Sequence, residues 1–272
     1  MQLKKCLLTN NDCYKKAQKI TPDRIIVHST GVNNTTLKRY IQPDDGLIGK
    51  NLFNNHWNKP KVSKCVHGFI GKDKNKEVQV YQTLPFNYAA WGVGKGSKGS
   101  YNYINGKGAI QFEICEDNLK DKVYFERAFD LAAEFCAYLC KKYNISVKNV
   151  ISHHEAHVKG YASNHKDCDH WLKKHGKDMD WFRAEVEKKM KKSDSSTEKP
   201  KVIGKAVNYL VKINTKELNV REEPDSNKKT KVNCTVKKGE VFTIVREYQG
   251  WGKLKSGAGW IALSYTKKIS KK

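Results

Sequence analysis

The chain has 272 residues, 38% of them hydrophobic and 29% charged, which is enough for two domains with packed cores and excludes wholesale disorder. Its 52 Lys and Arg outnumber 28 Asp and Glu, a formal charge of +24 that sets no fold but selects polyanionic partners such as nucleic acid, anionic membranes or anionic bacterial walls. Residues 191–272 carry 20 basic and 8 acidic side chains, a net +12, so the excess is shared between two parts of the chain and is not a detachable basic tail.

The N-terminal run MQLKKCLLTNNDCYKK has basic residues but no apolar stretch behind them, so it does not read as a secretory signal. Cytoplasmic synthesis is expected, with action outside the cell only after release. Residues 1–20 suggest no role. No stretch approaches the roughly 18 apolar residues of a membrane span. Residues 24–29 (RIIVHS) follow Thr21-Pro22-Asp23 and read as a short buried strand ending at His28. Residues 66–71 and 77–82 read as paired strands with a polar turn between them, and residues 108–114 as another strand. Residues 121–144 repeat apolar side chains at i, i+3, i+4 and i+7, the pattern of an amphipathic helix. Residues 149–152 form a further strand, again followed by histidine, and residues 178–190 a last helix behind an Asp cap. Strands interleaved with helices predict an α/β domain with a mixed central sheet over residues 1–190. Residues 191–203 are polar, contain one proline and read as a linker. Beyond it, short β-rich runs at 206–213, 240–247, 251–255 and 259–262 alternate with turn signals, predicting a small all-β barrel within 204–272. The eight cysteines show no repeated C-x-x-C spacing, and most read as reduced core thiols.

Polar residues at the ends of buried strands are where α/β proteins assemble sites. Here such ends carry His28, Glu113, and the adjacent His153 and His154, and the loop SNHKDCDHW supplies His165, Asp167, Cys168, Asp169 and His170. A catalytic zinc needs three N, S or O donors and an open fourth position. Two strand-end histidines with one Asp or Cys from the loop meet that need. No H-E-x-x-H motif is present to make the assignment specific.

Five segments in order, IIVHST, VHGFIG, AAWGVGKGSKGSYN, IQFEICED and SHHEAHVKGYASNHKDCDHW, resemble the type 2 N-acetylmuramoyl-L-alanine amidases over about residues 20–190. This is the zinc amidase fold shared with phage lysozyme-amidases and animal peptidoglycan recognition proteins. The resemblance implies a zinc ion held by His28, His153 and Asp167, with His154 and Cys168 as neighbouring alternatives. It implies Glu113 as general base and then acid to the leaving amine, and His165 as the group stabilising the oxyanion. His165 stands where the family usually has Lys. Gly92 stands where many members have His. His67 matches a family histidine and is expected to be structural or to support the site.

In the last part of the chain, LNVREEP, VKKG, GWGKL and GAGWIA resemble the bacterial SH3-like domain. That resemblance implies cell-wall targeting, with Leu218 and Trp260 in the core and Tyr248, Trp251 and Tyr265 in core or groove. Together the two resemblances imply the layout of a phage endolysin or bacterial autolysin. The implied reaction is zinc-dependent cleavage of the amide between N-acetylmuramic acid and L-alanine, with peptidoglycan as partner. The alternatives are a wall-binding recognition protein without catalysis and a nucleic-acid-binding protein. The second is suggested by charge alone and lacks a reader motif, so no specific nucleic-acid partner is expected.

Overall fold

The computed structural model describes residues 1–195, 204–225 and 230–269. The chain divides into two compact units, Met1–Ser195 and Ser196–Lys272. The first unit contains, in chain order, β1 (Leu3–Lys5), α1 (Asp12–Lys16), β2 (Thr21–Ser29), β3 (Gly68–Lys72), β4 (Val78–Gln82), β5 (Lys107–Ile114), α2 (Lys122–Tyr143), β6 (Val150–Ser152), α3 (His153–Val158), α4 (Asp169–Lys174) and α5 (Met179–Ser195). Its sheet runs β1-β4-β3-β5-β2-β6. The β3–β4 pair is antiparallel, and the other pairs are parallel. This is the mixed central sheet expected from the sequence.

Alternation along the two central strands separates core from site. Ile25 and Val27 of β2, with Ile110, Phe112 and Ile114 of β5, face α2 and α5 and join Phe129, Phe135, Phe182 and Val186 in one buried cluster. Full burial of each such side chain contributes roughly 1.5–3 kcal/mol. The opposite face carries Ile26, His28, Ala109, Gln111 and Glu113, where Ile26 and Ala109 pack with Val93 and Tyr101. Helix α2 starts where the Asp121 side chain accepts from the Tyr124 N–H and stops at Asn144, whose φ of 53° is left-handed.

Three features were not anticipated from the sequence, although most cysteines are free as expected. Residues 1–20 are integrated: β1 extends the sheet beside β4, and Leu8 packs with Tyr40, Phe69 and Tyr81. Cys13 and Cys65 form a disulfide, while Cys6, Cys115, Cys136, Cys140, Cys168 and Cys234 are free. The two partners lie 52 residues apart, so no local spacing announces them. Helix α5 continues to Ser195, because no Pro or Gly occurs between its start at Met179 and Pro200, beyond its end. Residues 191–195 are therefore helical, and the remainder of the expected linker, 196–203, lies outside the described residues.

The second unit holds β7 (Lys205–Ile213), β8 (Glu217–Arg221), β9 (Val232–Lys237), β10 (Val241–Tyr248), β11 (Trp251–Leu254), β12 (Trp260–Ala262) and β13 (Thr266–Ile269), in the antiparallel order β13-β7-β10-β11-β12-β8-β9. Side chains from β7 through β12 converge on one core that contains Val211, Leu218, Val220, Val236, Ile244, Leu254 and Ile261. Trp260 is also buried. No helix among the described residues is long and apolar enough to cross a membrane.

Candidate metal centre

The parallel register brings three polar residues to one edge of the first sheet. His28 on β2 lies opposite Glu113 on β5. Val27 pairs with Ser152 of β6, so His153 follows at the height of His28. His153 opens α3, whose start is fixed by a capping box: Ser152 accepts from the Glu155 N–H, and Glu155 accepts from the Ser152 N–H. The guanidinium of Arg183 on α5 grips both oxygens of Glu155 at 3.0 Å and also donates to the Val150 carbonyl at 3.0 Å.

Asp167 enters from the loop before α4. Its Oδ2 lies 2.8 Å from His28 Nδ1, its Oδ1 lies 3.4 Å from His153 Nδ1, and the two Nδ1 atoms are 3.2 Å apart. All candidate donor atoms fall within 4.8 Å of one another. The remaining ring nitrogens have their own partners. His28 Nε2 lies 3.3 Å from the Gln111 side-chain carbonyl. His153 Nε2 lies 3.4 Å from Ser163 Oγ. That hydroxyl donates to the Val93 carbonyl at 3.0 Å, so it can only accept from His153. With acceptors beside both Nε2 atoms, the two Nδ1 atoms and the Asp167 carboxylate face one point. Such a donor set could hold a metal ion, and two N and one O donors are a combination that zinc accepts. Burial opposes the charge on Asp167, but the contacts with His153 and His28 outweigh it and hold the carboxyl well below the usual range.

Neighbouring candidates are directed elsewhere. Cys168 is fully buried in the α2 core, and burial pushes its thiol well above the usual range. His154 is outside the donor cluster, with its ring 6.4 Å from that of His157. His165 is exposed at the rim, its ring 4.7 Å from that of His153 and its Nδ1 3.1 Å from Ser163 Oγ. Glu113 has a buried Oε2 without a hydrogen-bond partner. Burial, then the charges of Asp167 and Glu116, push its carboxyl well above the ordinary value. His67 is fully buried, donating through Nε2 to the Tyr88 carbonyl and accepting the Gln111 N–H at Nδ1.

Three supporting residues were given no role by sequence reasoning. Gln111 and Ser163 meet the histidines. Glu116 accepts from Ser29 and from His170 at 2.9 Å, tying α4 to the end of β2 on either side of the donor group. Period-two alternation on β5 was the available signal for Gln111, since it shares the face of Glu113.

The family model described as N-acetylmuramoyl-L-alanine amidase matches residues 18–171, more than half of the chain. The chain belongs to the N-acetylmuramoyl-L-alanine amidase family. It is a peptidoglycan hydrolase that cleaves the amide between N-acetylmuramic acid and L-alanine. The bacterial SH3 domain model matches residues 214–266. Similar solved structures include PlyL, at 21% identity and TM-score 0.45 over 68% of this chain and 97% of that one. The catalytic domain of XlyA matches at 22% and 0.45 over 68% and 99%. The hydrolase AmiA of Staphylococcus aureus in complex with its ligand matches at 18% and 0.48 over 73% and 87%. No curated protein matches the chain.

Proposed function

We propose that this amidase is zinc-dependent, that His28, His153 and Asp167 hold the ion, and that Glu113 and His165 carry out the proton and charge work around it. The observation behind this reading is the convergence of His28 Nδ1, His153 Nδ1 and the Asp167 carboxylate, with acceptors beside both Nε2 atoms. Zinc in a three-ligand site supplies a Lewis acid with an open coordination position at neutral pH. Glu113 stands at the level of His28 with an unpaired oxygen, placed to take a proton from the attacking water and return it to the leaving amine of L-alanine. His165, at the exposed rim beside His153, donates to the oxygen that gains charge as the carbonyl becomes tetrahedral. The products are a glycan strand and a free stem peptide.

The same proposal divides the chain into a catalytic part over 1–190, a connection over 191–203 with its first residues helical, and a wall-targeting part over 204–272. The second unit presents a surface pocket lined by Leu218, Arg221, Trp251 and Tyr265, with Tyr265 54% exposed, suited to a peptide or sugar of the wall. The protein then acts as an endolysin, made in the cytoplasm and lysing the cell once released to the wall. Digestion of peptidoglycan with chelator and with zinc add-back tests the metal assignment. New L-alanine amino termini that vanish with chelator and return with zinc, without new reducing sugars, are expected. Digestion indifferent to chelation would sink it.

A further inference from the structure

The two acceptors behind the metal-facing histidines rest on one stretch of bare backbone. Gln111 is fully buried. Its Nε2 donates to Asn102 Oδ1 at 2.9 Å, and the same oxygen accepts the Val93 N–H at 3.2 Å. On the other side the Val93 carbonyl accepts both the Ser163 N–H and the Ser163 hydroxyl. The glycines flanking Val93 leave the space these side chains fill. A Cβ on Gly92 would stand 2.3 Å from Gln111 Oε1, and one on Gly94 would stand 2.9 Å from Ser163 Oγ. Gly94 also has a φ of +64°, whereas Gly92 shows no left-handed φ, so the requirement at Gly92 is for space alone.

We infer that Gly92-Val93-Gly94 is a seat that sets the tautomers of the metal centre: it places Gln111 and Ser163 to hold the Nε2 protons of His28 and His153, so that both rings present Nδ1 to the ion. A neutral imidazole has one N–H, and an acceptor fixed at Nε2 leaves the Nδ1 lone pair free for coordination. Gln111 and Ser163 are positioning residues, and His67 steadies Gln111 by accepting its backbone N–H at 3.0 Å. The inference rests on the proposed zinc reading and explains why position 92 has no side chain: any Cβ there displaces the amide that orients His28.

Zinc affinity of the full chain, measured by competition with a chromophoric chelator, tests it. Gln111→Met fills the same space without an acceptor and should weaken zinc binding by about 10–100-fold. Ser163→Ala should act in the same direction through His153. Gly92→Ala should weaken zinc as Gln111→Ala does, yet add nothing in the Gln111→Ala background, where the amide is already gone. The visible spectrum of the cobalt-substituted protein should change in Gln111→Met, and thermal unfolding of the metal-free variants reports folding separately. Unchanged zinc affinity in Gln111→Met and Ser163→Ala, or additive losses in the Gly92→Ala and Gln111→Ala pair, overturns the inference while leaving the zinc site intact. Absence of zinc binding by the unaltered protein overturns the metal reading and this inference with it.

Discussion

Glu113 is the residue whose environment departs furthest from an ordinary carboxylate. It sits beside His28 in the parallel register, half-buried, with one buried oxygen unpaired. A structural carboxylate in that position would be expected to hold a salt bridge, and no described residue pairs with Oε2. Glu113→Ala should therefore retain zinc within a few-fold and lose wall digestion by about 10²–10⁴-fold, the usual worth of a general acid–base. Side-by-side zinc titration and release of amino termini check this; near-normal turnover would remove the role. His67 makes a prediction of a different kind. Burial lowers its pKa to about 4 from 6.5. The unfolded chain thus binds a proton between those values that the folded chain refuses, so stability is full above about 6.5 and declines as pH falls toward about 4, by roughly 3 kcal/mol. Urea unfolding at pH 7 and 4.5 should show a steeper loss in the unaltered protein than in His67→Gln, and equal losses would contradict the assignment. The candidate ligands His28 and His153 were legible because they end apolar strand-like runs. Gln111 and Ser163 were not: alternation puts Gln111 on the face of Glu113, but its bond to the rear nitrogen of His28, like that of Ser163 to His153, depends on the loop backbone at 92–94, which has no period.

At the scale of elements, long periodic segments were readable and short ones were not. Helix α2 and strands β2 to β5 carry their own hydrophobic pattern, so their existence follows from spacing. Strand β1 has three residues and α4 has six, too few for any period to declare itself. Tertiary partners decide such pieces. The start of α3 illustrates this: it is set by its capping box and by Arg183, which reaches across from α5 to Glu155 and to the Val150 carbonyl. Arg183→Ala removes four charge-assisted hydrogen bonds, one of them to the exposed Asp180, and leaves Glu155 half-buried and unpaired on that side. A loss of about 2 kcal/mol is expected, which lowers the melting temperature by about 6 °C in a unit of this size. Because Arg183 acts on the element that carries His153, zinc affinity should fall as well. Calorimetry with and without zinc checks both effects, and an unchanged melting temperature would show that the clamp contributes nothing.

Across the whole molecule the charge of +24 is the property that neither the fold nor the metal centre explains. It is shared between the parts of the chain before and after residue 191, so it is not the business of one domain. A bacterial wall is a dense anionic surface, and a strongly cationic protein accumulates on it through long-range attraction that salt screens. The Debye length falls from about 10 Å at 0.1 M to about 3 Å at 1 M. Chemistry inside the site is governed by contacts of 3–4 Å among buried groups and is screened far less. The two contributions therefore separate by substrate. Digestion of intact walls should decline steeply between about 0.05 and 0.5 M sodium chloride, whereas hydrolysis of a small soluble muropeptide should change little over that range. Parallel rate measurements on both substrates decide the point: wall digestion that ignores salt would mean that recognition is carried by short-range contacts such as those of the Trp251–Tyr265 pocket, and an equal decline on both substrates would mean that salt acts on the site itself.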